Sequence, residues 1–331
     1  MERFALAAAV VLGFALTAAL CSLFVPLRRV LERREQQQQP VQSEQPRPAP
    51  LRAPLWGGLC AAAGTVAAVG VGWLAACVGQ PELLGSEGRL MTRLLTALAG
   101  SLAFGAVGFA EDLARMRSPA ALGLRRDVRL LLEALAAAFV LLLLRAAGCL
   151  PRGLGVPGAG YVLLGSAVPF LWAVLMVALA ECARIAERDE GAVCGAAFVA
   201  MLALMMVEAG LGVSGLAVLP GALAGALVAL GLWAFPPARL GAGCCGSLLA
   251  AGAIGCIPLS LDMTSLTVPL ALPFWAAGGL LAAQLLCAKR TGKPLRCWVK
   301  KHKMSPETVF LCSFALSAVG YVLALALLRW C

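Results

Sequence analysis

The chain has 331 residues, of which 61% are hydrophobic and only 13% are charged, and its formal net charge is +10. A soluble domain is about half apolar and about a quarter charged, so this composition excludes a soluble globular protein and requires lipid as the solvent. The excess of Lys and Arg does not indicate nucleic-acid binding, because basic residues accumulate in the cytoplasmic loops of membrane proteins and no basic patch is interleaved with aromatic residues.

The apolar runs of the sequence predict membrane-spanning helices. A span needs roughly 20 apolar residues, and its backbone groups must bond to one another, which favours the α-helix. The first run, Phe4 to Pro26, is uncharged and too long for the apolar region of a signal peptide. A polar stretch at 27–54, rich in Gln and Pro, then predicts a flexible cytoplasmic linker. The remaining apolar runs lie at 55–77, 90–110, 128–147, 159–180, 191–211, 215–235, 246–261, 268–287 and 307–328.

We therefore predict an all-α integral membrane protein of about ten transmembrane helices, with residues 1–331 forming a single polytopic domain. The distribution of basic residues predicts its orientation. Alternate loops, from 27–54 to 288–306, hold 21 of the 27 Lys and Arg residues. The positive-inside rule places these loops in the cytoplasm and both termini outside it.

The cysteines do not predict a metal centre. The 13 cysteines are scattered, and several lie within apolar runs, where they behave as small hydrophobic residues. Cys244 and Cys245 are adjacent rather than spaced as in a CxxC motif, and His302 is the only histidine. A structural zinc site is therefore not expected.

The charged chemistry is concentrated in the loops that the basic residues assign to the cytoplasm. Residues 108–115 read Gly-Phe-Ala-Glu-Asp-Leu-Ala-Arg, so two carboxylates, Glu111 and Asp112, precede Arg115 at the end of a span. Magnesium prefers carboxylate oxygens and substrate phosphates, and a cation can neutralise the remaining phosphate charge. The pattern is compatible with a magnesium-diphosphate site. It is equally compatible with salt-bridged loop charge.

Five segments, taken in chain order, resemble the motifs of the MraY-type polyprenyl-phosphate phospho-sugar transferases, which share a superfamily with the WecA-type enzymes. Segment 108–115 is similar to the family's G-F-x-D-D-x-x-K, and 181–195 lies where the family has N-x-x-N-L-x-D-G-x-D-G-L. The other three segments are Pro-Leu-Trp-Gly-Gly-Leu at 54–59, the stretch 235–247 and Lys-Arg-Thr-Gly-Lys at 289–293. The family also has ten spans with both termini outside.

This resemblance implies an enzyme of the bacterial cytoplasmic (inner) membrane. It would move phospho-N-acetylmuramoyl-pentapeptide, or a related phospho-N-acetylhexosamine, from a UDP-sugar to polyprenyl phosphate and release UMP, in cell-wall (peptidoglycan) precursor synthesis. Its partners would be the two substrates, the bilayer and a Mg²⁺ cofactor, without nucleic acid. The resemblance leaves a homodimer open. The site would lie in a cytoplasmic cleft lined by the loops 112–127, 181–190, 236–247 and 288–306.

The resemblance assigns roles to single residues of this chain. The catalytic candidates are Glu111, Asp112 and Arg115, and the metal candidates are Asp112 and Glu187. The substrate-binding candidates are Glu187, Glu190, Lys293 and His302.

Several side chains depart from the family pattern. Glu111 replaces an aspartate, Glu181 and Arg184 replace asparagines, and the family's histidine-rich loop is reduced to His302. Cys244 stands where the family has an aspartate, which removes a hard oxygen ligand that magnesium favours. A carboxylate from Glu187 or Glu190 would have to compensate.

These departures favour a second hypothesis, in which the chain is a catalytically degenerate relative that binds lipid or a partner protein. In that case the i,i+3 and i,i+4 spacings within one group of charges suit a salt-bridged helix end: Glu181, Arg184, Glu187, Arg188 and Glu190. The lysines around His302 suit a patch facing anionic lipid headgroups. A transporter is disfavoured, because the chain has no inverted repeat and its spans are nearly free of charge apart from Glu133 and Glu208.

Overall fold

The computed structural model is a bundle of helices. It describes residues 2–38, 56–79, 88–117, 123–151, 153–156, 160–163, 165, 167–187, 191–213, 215–235, 239–291 and 306–330. The helices are α1 Glu2–Gln38, α2 Gly57–Gly79, α3 Gly88–Arg117, α4 Arg126–Ala146, α5 Ala167–Ala186, α6 Ala192–Gly210, α7 Val218–Ala234, α8 Gly243–Ser260, α9 Thr267–Leu270, α10 Leu272–Thr291 and α11 Pro306–Trp330. A two-stranded antiparallel hairpin, β1 Gly153–Val156 and β2 Gly160–Leu163, follows α4, and a 3₁₀ turn, Thr264–Leu266, precedes α9.

Helix α8 is the core of the bundle, since all of its residues are buried. It packs most extensively against α3, and it also contacts α2, α5 and α6. A helix that is apolar on every side must be surrounded by other helices. Small residues allow the close approach, and a Cβ atom on Gly252 of α8 would press against Ser101 and Phe104 of α3.

The membrane assignment is supported by length and apolarity. Among the residues that the structure describes, seven helices are long and apolar enough to cross a membrane, and an eighth is counted if the bent pair α9 and α10 forms one span. Helices α4 and α7 cover two further predicted runs, so a helix lies over each of the ten runs. The all-helical multi-pass fold is confirmed, while the number of spans and the side on which the termini lie stay predictions.

Three boundaries differ from the sequence-based prediction. Helix α1 continues to Gln38, into the stretch 27–54 that was predicted to be a linker, because Leu27 to Gln38 has no Pro or Gly to end the helix. The run 159–180 was predicted as one span, but the glycine-rich start forms the hairpin and α5 begins only at Ala167. The run 268–287 bends by 64° between α9 and α10, where Pro273 lacks the N–H that would continue the helix.

Candidate functional site

The side chain of Asp112, near the end of α3, caps the beginning of α8. The Asp112 Oδ1 atom accepts a hydrogen bond from the Cys244 N–H at 3.0 Å, and Oδ2 accepts one from the Cys245 N–H at 2.9 Å. The N-cap residue of α8, Ala242, provides no side-chain cap of its own. The first N–H groups of a helix lack partners within the helix, and its positive N-terminal end favours an anion. Asp112 therefore supplies from another helix the cap that α8 lacks.

Glycines bring the backbones together at this point. Gly108 lies one turn before Asp112, and a Cβ atom there would overlap the Cys244 carbonyl group. A Cβ atom on Gly58 of α2 would likewise overlap the backbone of Gly246. Because α2 and α3 both press against the first turn of α8, Cys244 is fully buried. This packing explains why the glycines of the motif segments are required at these positions.

Arg115 joins two carboxylates that are distant in sequence. Its Nη2 donates to Glu111 Oε1 at 2.8 Å within α3, and its Nη1 lies 3.5 Å from Glu187 Oε2, just after α5. The Cys244 thiol donates to the same Glu187 oxygen at 3.7 Å. These contacts bring the end of α3, the end of α5 and the start of α8 together.

Two further arginines, one on α4 and one on α5, extend the network. Arg129 Nε donates to Glu181 Oε1 at 2.7 Å, and Arg129 Nη1 lies 3.8 Å from Glu111 Oε1. Arg184 Nη2 donates to the other Glu181 oxygen at 2.7 Å. We call the six residues of this alternating network the charged end: Glu111, Arg115, Arg129, Glu181, Arg184 and Glu187.

Some buried polar atoms in or next to the charged end lack a hydrogen-bond partner among the described residues. They are one oxygen of Glu111, Arg184 Nε and both carboxylate oxygens of Glu133, which lies one turn beyond Arg129 on α4. Glu133 is fully buried, and the charges that act on it include Arg129 and Glu181. Burial of a polar group without a partner is costly, so these atoms lower the stability of this part of the core.

The described residues do not fit a magnesium centre. Magnesium needs free carboxylate oxygens at short distances in near-octahedral geometry. Here both Asp112 oxygens accept backbone N–H groups, Glu111 and Glu187 are paired with Arg115, and Cys244 offers a thiol that is itself a donor. Among the residues that the structure describes, no group of three or more His, Cys, Asp or Glu side chains could hold a metal ion.

The sequence-predicted residues fall into two groups. Glu111, Asp112, Arg115 and Glu187 meet at one end of the bundle, together with Cys244, as expected for a single site. Glu190, Lys293 and His302 lie outside the described residues, as do 118–122, 188–190, 236–238 and 292–305 of the predicted site loops. The roles assigned to all of these residues stay predictions.

Sequence reasoning missed Arg129, which stood at the edge of a predicted span and matched none of the motifs. Its position in the sequence could have identified it. Arg129 is followed four positions later by Glu133 in an otherwise apolar run, and charged residues in such a run are expected to have buried partners. The salt-bridged helix end expected for Glu181 and Arg184 is confirmed at this i,i+3 pair.

The fold and the charged end define a multi-pass membrane protein whose charged residues converge on the start of a buried helix. The model of glycosyl transferase family 4 matches residues 94–262, which run from α3 through α8 and include the whole charged end, and the chain belongs to that family. The chain is also 32% identical, over 170 residues, to a phospho-N-acetylmuramoyl-pentapeptide-transferase of Desulforudis audaxviator (strain MP104C). That match covers 48% of this chain and 50% of the relative, so the chain spans about half the length of the curated relative that it matches. The resemblance to this family is thus confirmed.

Proposed function

We propose that the chain is a membrane phospho-sugar transferase that acts on a UDP-sugar and polyprenyl phosphate at the charged end, facing the cytoplasm of a bacterium. The donated group would be phospho-N-acetylmuramoyl-pentapeptide or a related phospho-N-acetylhexosamine. The family assignment and the named activity of the relative support this proposal. The single observation that carries it is the convergence of Asp112, Arg115 and Glu187 on the start of α8.

In this reaction a phosphate oxygen of the lipid forms a bond to the sugar-bearing phosphorus of the donor. The bond from that phosphorus to the bridging oxygen breaks, and UMP leaves with the bridging oxygen. Phosphoryl transfer depends mainly on positioning and on electrostatic stabilisation of the phosphate oxygens. Arg115 and Arg184 keep part of their surface exposed, so their guanidinium groups can pair with phosphate oxygens. Asp112 would act as a positioning residue, because it fixes the start of α8 beside them.

The test is release of UMP by the purified full chain in detergent. Polyprenyl phosphate is supplied with UDP-N-acetylmuramoyl-pentapeptide and, separately, with UDP-N-acetylglucosamine. We expect release with one of the donors and its loss in Glu187→Gln, which removes a charge that contacts Arg115 and Cys244. The matched control is Arg145→Gln, which removes an exposed charge from the opposite end of α4 and should retain release.

One observation favours a second candidate function, that of a non-catalytic family member that binds a lipid or a partner protein. The carboxylates of the charged end form ion pairs with arginines, and the Asp112 carboxylate accepts hydrogen bonds from the backbone of α8. Carboxylates that are already paired within the protein suit a structural role better than the binding of a substrate. Absence of UMP release with both donors, from protein shown to be folded and monodisperse, would support this second function and contradict the first.

A further inference from the structure

The geometry of Arg115 resembles that of a bridging cation. Its guanidinium group contacts Glu111 at 2.8 Å and Glu187 at 3.5 Å, two carboxylates that are brought together from α3 and from the turn after α5. A divalent ion bound between two carboxylates would perform the same task, since it joins oxygens from separate segments. Arginine performs it with two directional N–H donors of one rigid fork.

Other neighbouring groups also contact the two carboxylates that Arg115 joins. Glu111 Oε1 faces Arg129 Nη1 at 3.8 Å as well as Arg115, so a second positive charge stands beside the place that a metal would need. Glu187 Oε2 accepts from the Cys244 thiol in addition to Arg115. Like charges a few ångströms apart repel one another, so a divalent ion would have to displace Arg115 first.

The unpaired Glu111 Oε2 atom suggests how the charged end would bind ions if Arg115 were removed. Glu111 Oε2 is buried and has no hydrogen-bond partner among the described residues, so it remains available to a ligand. Removal of Arg115 would leave this oxygen, the second Glu111 oxygen and Glu187 Oε2 without the bridging cation. Uncompensated buried carboxylates bind a hard cation or a proton.

We infer that Arg115 holds Glu111 and Glu187 together in the resting protein, so that these two carboxylates are not available to a divalent metal ion. This inference does not rest on the proposed function, because it concerns the resting protein and holds with or without turnover. It predicts that the unchanged chain has no tight divalent site at the charged end. It also predicts that loss of Arg115 creates one.

The experiment measures binding of Mn²⁺, as a spectroscopic substitute for Mg²⁺, to the purified full chain through loss of the free-ion paramagnetic resonance signal. The unfolding temperature is followed in parallel in EDTA and in Mg²⁺. We expect the unchanged protein to be insensitive to the ion. Arg115→Ala should bind Mn²⁺ at least about tenfold more tightly and should be stabilised by Mg²⁺.

The matched control is Arg184→Ala, which removes a guanidinium group from the same network but leaves the Glu111–Arg115–Glu187 bridge intact, so no Mn²⁺ site should appear. If Arg115→Ala does not fold, Arg115→Gln keeps the volume and replaces it in the comparison. Stoichiometric Mn²⁺ binding by the unchanged protein would overturn the inference, and so would a folded Arg115 variant that binds no more tightly than the unchanged protein. UMP release is not part of either readout, so failure here and failure of the proposed function are distinguishable.

Discussion

The Asp112 carboxylate accepts a hydrogen bond of 3.0 Å from the backbone N–H of Cys244, which lies 132 residues further along the chain. With the second bond to Cys245, it satisfies two of the N–H groups at the start of α8 that have no partner within the helix. The residue that the family resemblance assigns to catalysis thus holds the core helix in place. The motif residue Asp112 is therefore expected to contribute to the stability of the fold.

Substitution of Asp112 should therefore destabilise the fold. Asp112→Ala removes two buried hydrogen bonds to a charged acceptor and leaves the helix end uncapped, which should cost about 2 to 4 kcal/mol of unfolding free energy. Asp112→Asn should cost less, because the amide oxygen can still accept one bond. Unfolding in detergent measures the effect, and Asp127→Asn, exposed at the start of α4, is the control. An Asp112→Ala protein as stable as the unchanged chain would contradict the capping role.

The contact between α3 and α8 should tolerate no side chain at Gly108. Gly108→Ala places a methyl group against the Cys244 carbonyl, and overpacking of this kind typically costs about 1 to 3 kcal/mol. Gly70→Ala in α2 meets no atom within 4 Å, so it should be neutral or slightly stabilising. The difference between the two unfolding temperatures tests the packing. Equal temperatures would argue against close contact of these helices.

The pair of Arg129 and Glu181 should behave as a unit. Each single change, Arg129→Gln or Glu181→Gln, breaks this ion pair and leaves the remaining charge with only its other partner, Arg184 for Glu181 or Glu111 for Arg129. The double variant should therefore be more stable than the sum of the single effects predicts. We expect a coupling free energy of about 1 kcal/mol, measured by a double-mutant cycle of unfolding in detergent. The control cycle pairs Arg129→Gln with Asp127→Asn, whose side chains face different directions on α4, and additive effects are expected there. Additivity in both cycles would refute the pairing.

Two glutamates of the same region, the buried Glu133 and the partly buried Glu181, should respond with opposite signs to the same change. Both oxygens of Glu133 lack a hydrogen-bond partner among the described residues, so Glu133→Met removes an unsatisfied group and should leave stability unchanged or raise it. Glu181 pairs with Arg129 and Arg184, so Glu181→Met should lower stability by about 2 kcal/mol or more. The comparison is made on unfolding temperature. A loss at Glu133 that equals the loss at Glu181 would show that Glu133 has a partner of its own.

The sequence predicted the membrane bundle well because hydropathy acts over whole spans. Every predicted run carries a helix, including α4 despite its internal Glu133. Boundaries were less predictable, as at Gln38 and Ala167, because they depend on local turns and on contacts outside the run.

The candidate site was predictable only in part. The family resemblance predicted that Glu111, Asp112 and Glu187 line one cleft, and the structure places all three around Arg115 and Cys244, while their roles stay predictions. What each side chain does there could not be read from spacing. Asp112 caps a helix because Gly108 lets α8 approach, and Arg129 reaches Glu181 because α4 and α5 pack together. Both facts depend on tertiary contacts that no local pattern encodes.

We propose that this family member acts on phosphate groups at a site whose positive charge comes from arginine. The most direct measurement is UMP release by the purified full chain, with polyprenyl phosphate and each UDP-sugar, in EDTA and in Mg²⁺. We expect release in EDTA within about twofold of that in Mg²⁺, because Arg115 already bridges Glu111 and Glu187. Release that requires added Mg²⁺, or no release from folded protein with either donor, would contradict it.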